Sequence, residues 1–341
     1  MDNGKLEYGA YQAVNNCVKV QPEDNVVIIT DNVTEYISDE LFKCCERITP
    51  GNTQVFIMEN YGDRPDDGSN PLKFPENTIG QAMDKADVSF YCASAKKGEL
   101  PSFRTPMTAH VTSNPKLRHA HMPGISRLLM ETGMNVDYSK VQELSAKLYN
   151  IVKNAKVIKV TTPAGTDFTT YFDTSWKWII SDGDIKAEDW SNLPDGEVFT
   201  CAKEIPEGII VVDGVLGDFF CSEYGSLENS PITIKIKDSR VADMQCSNKK
   251  LLSEFKQHLK IDKNGNRIGE FAIGTNTGLS KIVGNLLQDE KFPGIHVAFG
   301  HGYPEKTGSD WNSDVHVDAV LCNCTITVED KVIMKDGNFL I

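Results

Sequence analysis

The sequence predicts a mixed α/β chain in two parts, a Rossmann-like α/β layer over residues 1–155 followed by a β-rich domain over 156–341. Three observations carry this reading. Apolar runs alternate with helix-period segments in the first half, the order expected of a parallel sheet with crossover helices. A long amphipathic segment, 137–155, closes that half, with Val141, Leu144, Leu148, Ile151 and Val152 at helical spacing. From Lys156 onward the texture changes to short β-rich runs broken by Gly, Pro, Asn and Asp.

In the first half, 26–30 (VVIIT) reads as a buried strand, 37–48 as a helix, 54–58 as a second strand, 78–86 as a helix and 88–93 as a third strand. The turn after the first strand is Thr30-Asp31-Asn32. With no glycine there, a pyrophosphate cannot approach the backbone, so the layer is read as scaffold. Residues 59–76 carry three prolines and two glycines among acids, the composition of a long solvated loop. Arg118, His119 and His121 are read as structural. In the second half strands are expected at 157–161, 208–212, 232–236, 271–274, 295–300 and 315–321, with a helix at 249–259. Asn264-Gly265 reads as a hairpin turn. The run from Asp262 imitates a calcium loop, but Arg267 stands where such a loop needs glycine.

Charge narrows the partners. The 341 residues hold 35 Lys and Arg against 48 Asp and Glu, a net charge of −13. Polyanions are repelled by such a surface, so neither nucleic acid nor an anionic membrane is an expected partner. No basic start with an apolar run opens the chain, and no stretch approaches the ~18 apolar residues of a membrane span, so the expected location is cytoplasmic. Nine scattered cysteines read as reduced, structural thiols. Cys322 and Cys324 are expected on one face of a strand, but no second Cys or His pair stands near them to complete a soft-metal site.

Three of the seven histidines, His296, His301 and His316, fall within 21 positions. In 313–318 (SDVHVD), strand alternation puts His316 and Asp318 on one face while Val315 and Val317 enter the core. An imidazole and a carboxylate held side by side on a rigid strand suit a divalent metal. His296 is the one polar side chain in 295–299 (IHVAF), and Glu270 and Glu197 are single acids in GEFAIG and GEVFT. An acid on a buried-type strand is costly unless neutralised, and one metal centre neutralises several at once.

NLPDGEVFT at 192–200, GEFAIG at 269–274, IHVAFGHGYP at 295–304 and DVHVDAVL at 314–321 resemble, in this order, the motif series of the aminopeptidase T and aminopeptidase S family of metallopeptidases. PAGTD at 163–167 resembles the family's Gly-Thr-Asp segment. The likeness covers most of 155–325 and only the general layout of the first half. It implies a homodimeric aminopeptidase that removes N-terminal residues from peptides, using two divalent ions, zinc or cobalt, and a bridging hydroxide. By the same resemblance Glu197, Glu270, His296, His316 and Asp318 are the metal ligands. Tyr303 resembles the family's catalytic tyrosine and His301 matches no ligand; on chemical grounds Glu270 is expected also to carry the proton and Tyr303 to donate to the oxyanion. Three carboxylates and a hydroxide offset the charge of two such ions.

The scaffold is also similar to that of dihydroxypyridine ring-opening dioxygenases, which hold one Fe(II) with two histidines and a carboxylate. A mononuclear iron dioxygenase is therefore the alternative. A catalytically dead binding or partner protein is a third reading, separable by metal content. Retention of both Glu197 and Glu270 favours the peptidase.

Overall fold

The computed structural model describes residues 3–187 and 189–341, in two compact units. One comprises Met1–Ser139 and Gly183–Asp195; the other comprises Lys140–Asp182 and Gly196–Ile341. The division thus falls near the start of the helix Tyr138–Val152, whereas the sequence places it after residue 155. The physical reason is packing, because Leu148 and Val152 of that helix enter the apolar core of the second unit.

The first unit is built on five parallel strands in the order Thr53–Ile57, Val26–Thr30, Val88–Tyr91, Arg118–His121 and Asp189–Asn192. Val26–Thr30 is buried throughout, as a β-branched central strand of a parallel sheet requires. The helix Glu35–Glu46 buries Ile37, Leu41, Cys44 and Cys45. The helix expected at 78–86 is a π-turn, Glu76–Gly80, running into the short helix Gln81–Met83.

Strand order reverses at Val26–Thr30, where sheets of this kind take their ligands at the strand ends. Here the crevice is filled from within. The buried Asp31 carboxylate accepts from the backbone N–H of Ser94 and of Thr34, both at 2.8 Å, and from the Ser94 hydroxyl and the Arg64 guanidinium. Arg64 grips Glu99 with a fork, Nε to Oε1 at 2.7 Å and Nη2 to Oε2 at 2.8 Å. Burial alone would raise Asp31, but its hydrogen bonds from Ser94, Thr34 and Arg64 outweigh burial and bring it down to about 2. The segment 59–76, expected to be solvated, is therefore anchored: Arg64 is locked in this network, and Leu72 and Phe74 lie in the core. His119 and His121 are buried side by side, Nε2 to Nδ1 at 3.2 Å, and burial keeps both rings neutral.

At the surface of this unit His110 joins two acids, Nδ1 to Asp84 Oδ1 and Nε2 to Glu76 Oε2, each at 2.7 Å. Burial lowers its pKa and the two carboxylates raise it; the raising prevails. A group whose folded pKa is raised stabilises fully below its unfolded value and loses that contribution as pH climbs through the folded one. The urea stability of the wild type, measured against His110→Gln, should accordingly shrink between roughly pH 6 and 8. A difference that stays constant over that interval would rule out the charged pairing.

In the second unit an eight-stranded sheet and a five-stranded antiparallel sheet share one core. The first supplies Ile158, Val160, Phe168, Ile210 and Ile234, and the second supplies Phe271, Ile273, Val297, Phe299 and Val317. The five-stranded sheet runs His316–Leu321, Gly294–Gly300, Ile268–Gly274, Glu197–Cys201 and Ile179–Ser181. Its outer strand, His316–Leu321, is not left bare. Gly214 and Gly217 donate to the carbonyls of Val320 (3.0 Å) and Asp318 (2.7 Å), and Val320 donates to the Val215 carbonyl at 3.0 Å.

Two local expectations are corrected. Asn264-Gly265 turns between the helix Lys249–His258 and the strand Ile268–Gly274, so no hairpin forms; the Asn264 amide instead donates to the Asn312 carbonyl at 2.8 Å. Strand His316–Leu321 ends before Cys322, and Asn323 adopts a φ of 53°, so Cys322 and Cys324 lie in a turn rather than on one strand face. No helix among the described residues is long and apolar enough to cross a membrane.

Candidate metal centre

The site is the polar face of the five-stranded sheet. Alternation sends Val198, Phe271, Ile273, Val297, Phe299, Val317 and Ala319 into the core, leaving Glu197, Glu270, His296, His316 and Asp318 on the opposite face. Ala272 pairs with His296 across the strands, and Ala298 pairs with Asp318. These two small side chains leave room for the longer ones to meet.

All five sequence-derived ligand candidates converge. Glu197, Glu270 and His296 place one donor atom each within 4.8 Å of one another, and Glu270, His316 and Asp318 do the same. Glu270 belongs to both groups: its Oε1 lies 3.6 Å from His296 Nε2, and its Oε2 lies 3.6 Å from His316 Nε2. His296 Nε2 is 3.5 Å from Glu197 Oε2, and His316 Nε2 is 3.3 Å from Asp318 Oδ1.

Three features test whether a divalent ion fits. The donor separations exceed good hydrogen bonds and match the ~3.4 Å edge of a tetrahedral site with bonds of about 2.1 Å. Glu197 Oε2 is buried without a hydrogen-bond partner, an expense that a cation would remove. Both imidazoles are oriented from behind, His296 Nδ1 by the Glu290 carbonyl at 3.0 Å and His316 Nδ1 by the His301 carbonyl at 3.1 Å. A carbonyl only accepts, so Nδ1 carries a proton and Nε2 is the nitrogen turned inward, the one a metal would take in place of its proton. The donor set fits.

The electrostatics agree with this. Burial lowers His296, but Glu270, Glu197 and Asp318 outweigh it and hold the imidazole at about 9. Asp318 and Glu270 likewise outweigh burial at His316 and hold it up at about 10. Burial would raise Asp318, yet the two imidazoles hold it well below the usual carboxylate range. The cluster of carboxylates thus favours positive charge at its centre.

Tyr303 stands over this face. Its hydroxyl is 3.5 Å from His316 Nε2, and its backbone sits in the left-handed region at φ 50°, ψ 57°, a conformation costing about 1–2 kcal/mol in a residue other than glycine. Burial, then the nearby Glu270 and Asp318, raise its hydroxyl far above the ordinary phenol range, so it remains a hydrogen-bond donor. His301 is outside both donor groups, with Nδ1 against Asn312 Oδ1 at 2.6 Å. Asp310 and Asp314 are exposed and likewise outside them.

Two further residues belong to the site and carried no signal in the sequence. Lys291 is buried, with its Nζ 2.8 Å from Glu197 Oε1 and 2.8 Å from Glu290 Oε1. Burial pushes the Glu290 carboxyl up to about 8 against the pull of Lys291. In the sequence both lie in the charged run QDEK, which reads as solvent-facing.

Carboxylates and imidazoles gathered on one face of a rigid sheet define the class, a protein built to hold divalent metal. Residues 137–339 match the thermophilic metalloprotease (M29) family, and the chain belongs to it. In fold it is similar to wild-type AmpT from Thermus thermophilus, with a TM-score of 0.72 and 14% identity over 100% of both chains. It is also similar to 2,5-dihydroxypyridine dioxygenase from Pseudomonas putida KT2440, with a TM-score of 0.68 and 15% identity, covering 100% of this chain and 98% of that one. Among curated protein sequences none matches this chain.

Proposed function

We propose that the chain is a metal-dependent aminopeptidase whose centre comprises two adjoining subsites, Glu197 with His296 and His316 with Asp318, that share Glu270 and take two divalent ions such as zinc or cobalt. The observation that carries this is Glu270, which offers one oxygen toward each imidazole and so could serve both subsites. Membership of a metalloprotease family supports the reaction class.

When bound, such ions polarise a peptide carbonyl and make a water nucleophilic near neutral pH. The chain's own residues supply the rest. Glu270 would take a proton from the attacking water and pass it to the departing amine. Tyr303, held protonated, donates a hydrogen bond to the carbonyl oxygen as negative charge develops there. The fixed Nδ1 contacts of His296 and His316 keep both rings from turning during the reaction.

A second reading uses some of the same atoms. His296, His316 and Asp318 place two imidazoles and a carboxylate together, His296 Nε2 lying 3.9 Å from Asp318 Oδ1, which is the donor set of a mononuclear non-haem iron oxygenase. The two buried acids Glu197 and Glu270 are surplus to that chemistry, which favours the peptidase. The deciding experiment runs the purified protein on leucyl and arginyl arylamides with Co²⁺ or Zn²⁺, and on a dihydroxypyridine with Fe²⁺ and oxygen. Arylamide cleavage is expected. Oxygen uptake with ring opening and no cleavage would overturn the assignment.

A further inference from the structure

The two halves of the centre are not equivalent. The half formed by Glu197 and His296 is held by consecutive residues of one turn: the Glu290 carbonyl accepts from His296 Nδ1, while the Lys291 ammonium binds Glu197 Oε1. In the other half, the ion-pair partners of Asp318 among the described residues are the two imidazoles. The Lys291 side chain is only 3% exposed, so little water stands by to screen its charge. Nor is the turn free to swing away. The Asn276 N–H donates to the Lys291 carbonyl at 3.1 Å, and a Cβ on Gly274 would lie 2.0 Å from the Phe292 carbonyl oxygen, so the turn rests directly on the end of the Glu270 strand.

We propose that Lys291 makes the Glu197–His296 subsite the weaker of the two, so that the centre loads stepwise. The first divalent ion goes to Glu270, His316 and Asp318, and the second goes to Glu197, Glu270 and His296 only at higher metal concentration. This rests on the two-subsite reading above. Lys291 has two effects on Glu197. By holding Oε1 it aims Oε2, the unpartnered atom, at His296. Its positive charge, placed between Glu197 and the Glu290 carboxyl that burial holds up, offsets the charge of Glu197 and repels a second dication. Lys291 is thus a positioning residue that also sets how many ions are held at a given concentration.

The test is metal binding rather than turnover. Chelator-stripped protein is titrated with Zn²⁺ against a chromophoric competitor, and with Co²⁺ followed by its visible absorption. The wild type should bind two equivalents, the second weaker by about 10-fold or more. Lys291→Gln keeps a donor for Glu197 and removes the charge; it should tighten the second step by about 10-fold and the first by much less, because Lys291 pairs directly with Glu197 and reaches Asp318 only through space. Lys291→Arg should retain the wild-type pattern. Independently of any Lys291 variant, Glu197→Gln should lose the weak step and His316→Ala the tight one. Two equal steps in the wild type, the reverse assignment of steps, or an unchanged second step in a folded Lys291→Gln would each overturn the inference while leaving the metal-dependent reading intact. A wild type that binds no metal would overturn both.

Discussion

Glu270→Gln should lower arylamide turnover by about 10²-fold or more, the usual reach of a general acid–base group, while the fold persists. The substitution keeps the size of the side chain and one oxygen, so the sheet has no reason to change; on the proposed reading it removes the proton acceptor and a charge that both subsites share. The measurement is kcat at saturating metal, with bound metal counted on the same sample and circular dichroism as the check on folding. His316→Ala is the contrasting variant. It deletes a ligand outright, so its loss of activity should track a loss of metal occupancy. A Glu270→Gln protein that retains its metal and turns over at the wild-type rate would remove Glu270 from the proton path.

The second large effect is on stability and lies in the other unit. Arg64 is buried between Asp31 and Glu99, with side-chain exposures of 1%, 0% and 2% respectively. Arg64→Met should destabilise the protein by about 3–5 kcal/mol, because two buried carboxylates are left without their cation. Urea denaturation reads this directly. Adding Glu99→Gln to that variant should recover part of the loss, since it removes one of the stranded charges. A loss under about 1 kcal/mol, the scale of an exposed pair, would mean that water reaches the network.

Much of the fold and most of the donor set can be read from the chain, for one physical reason: a sheet with an apolar face and a polar one prints its geometry as alternation. VHVD at 315–318 and IHVAF at 295–299 therefore declare which side chains point together. What alternation cannot encode is contact made from outside the strand. Lys291 reaches Glu197 from a turn, and the three residues before it, Gln288-Asp289-Glu290, are as polar as those beside any surface lysine. Arg64 sits in a segment whose prolines and acids look solvated, yet Asp31 and Glu99 are what bury it. The strand Asp189–Asn192 (DWSN) has no β-branched or alternating pattern at all; its pairing with Arg118–His121 is imposed by tertiary structure. The helix Tyr138–Val152 was visible as a helix, but its periodicity shows only that one face is buried, not in which core.

The Gly214–Gly217 segment that pairs along the outer strand has a consequence for how the centre comes into being. With His316–Leu321 hydrogen-bonded along both edges, backbone pairing by itself fixes where His316 and Asp318 stand. In small metallodomains the ion supplies the folding free energy, and a chelator unfolds the chain. Here the ordering cost of these two donors belongs to the pairing of the sheet. Removing metal with a chelator is therefore expected to leave the fold in place, as circular dichroism before and after chelation would read.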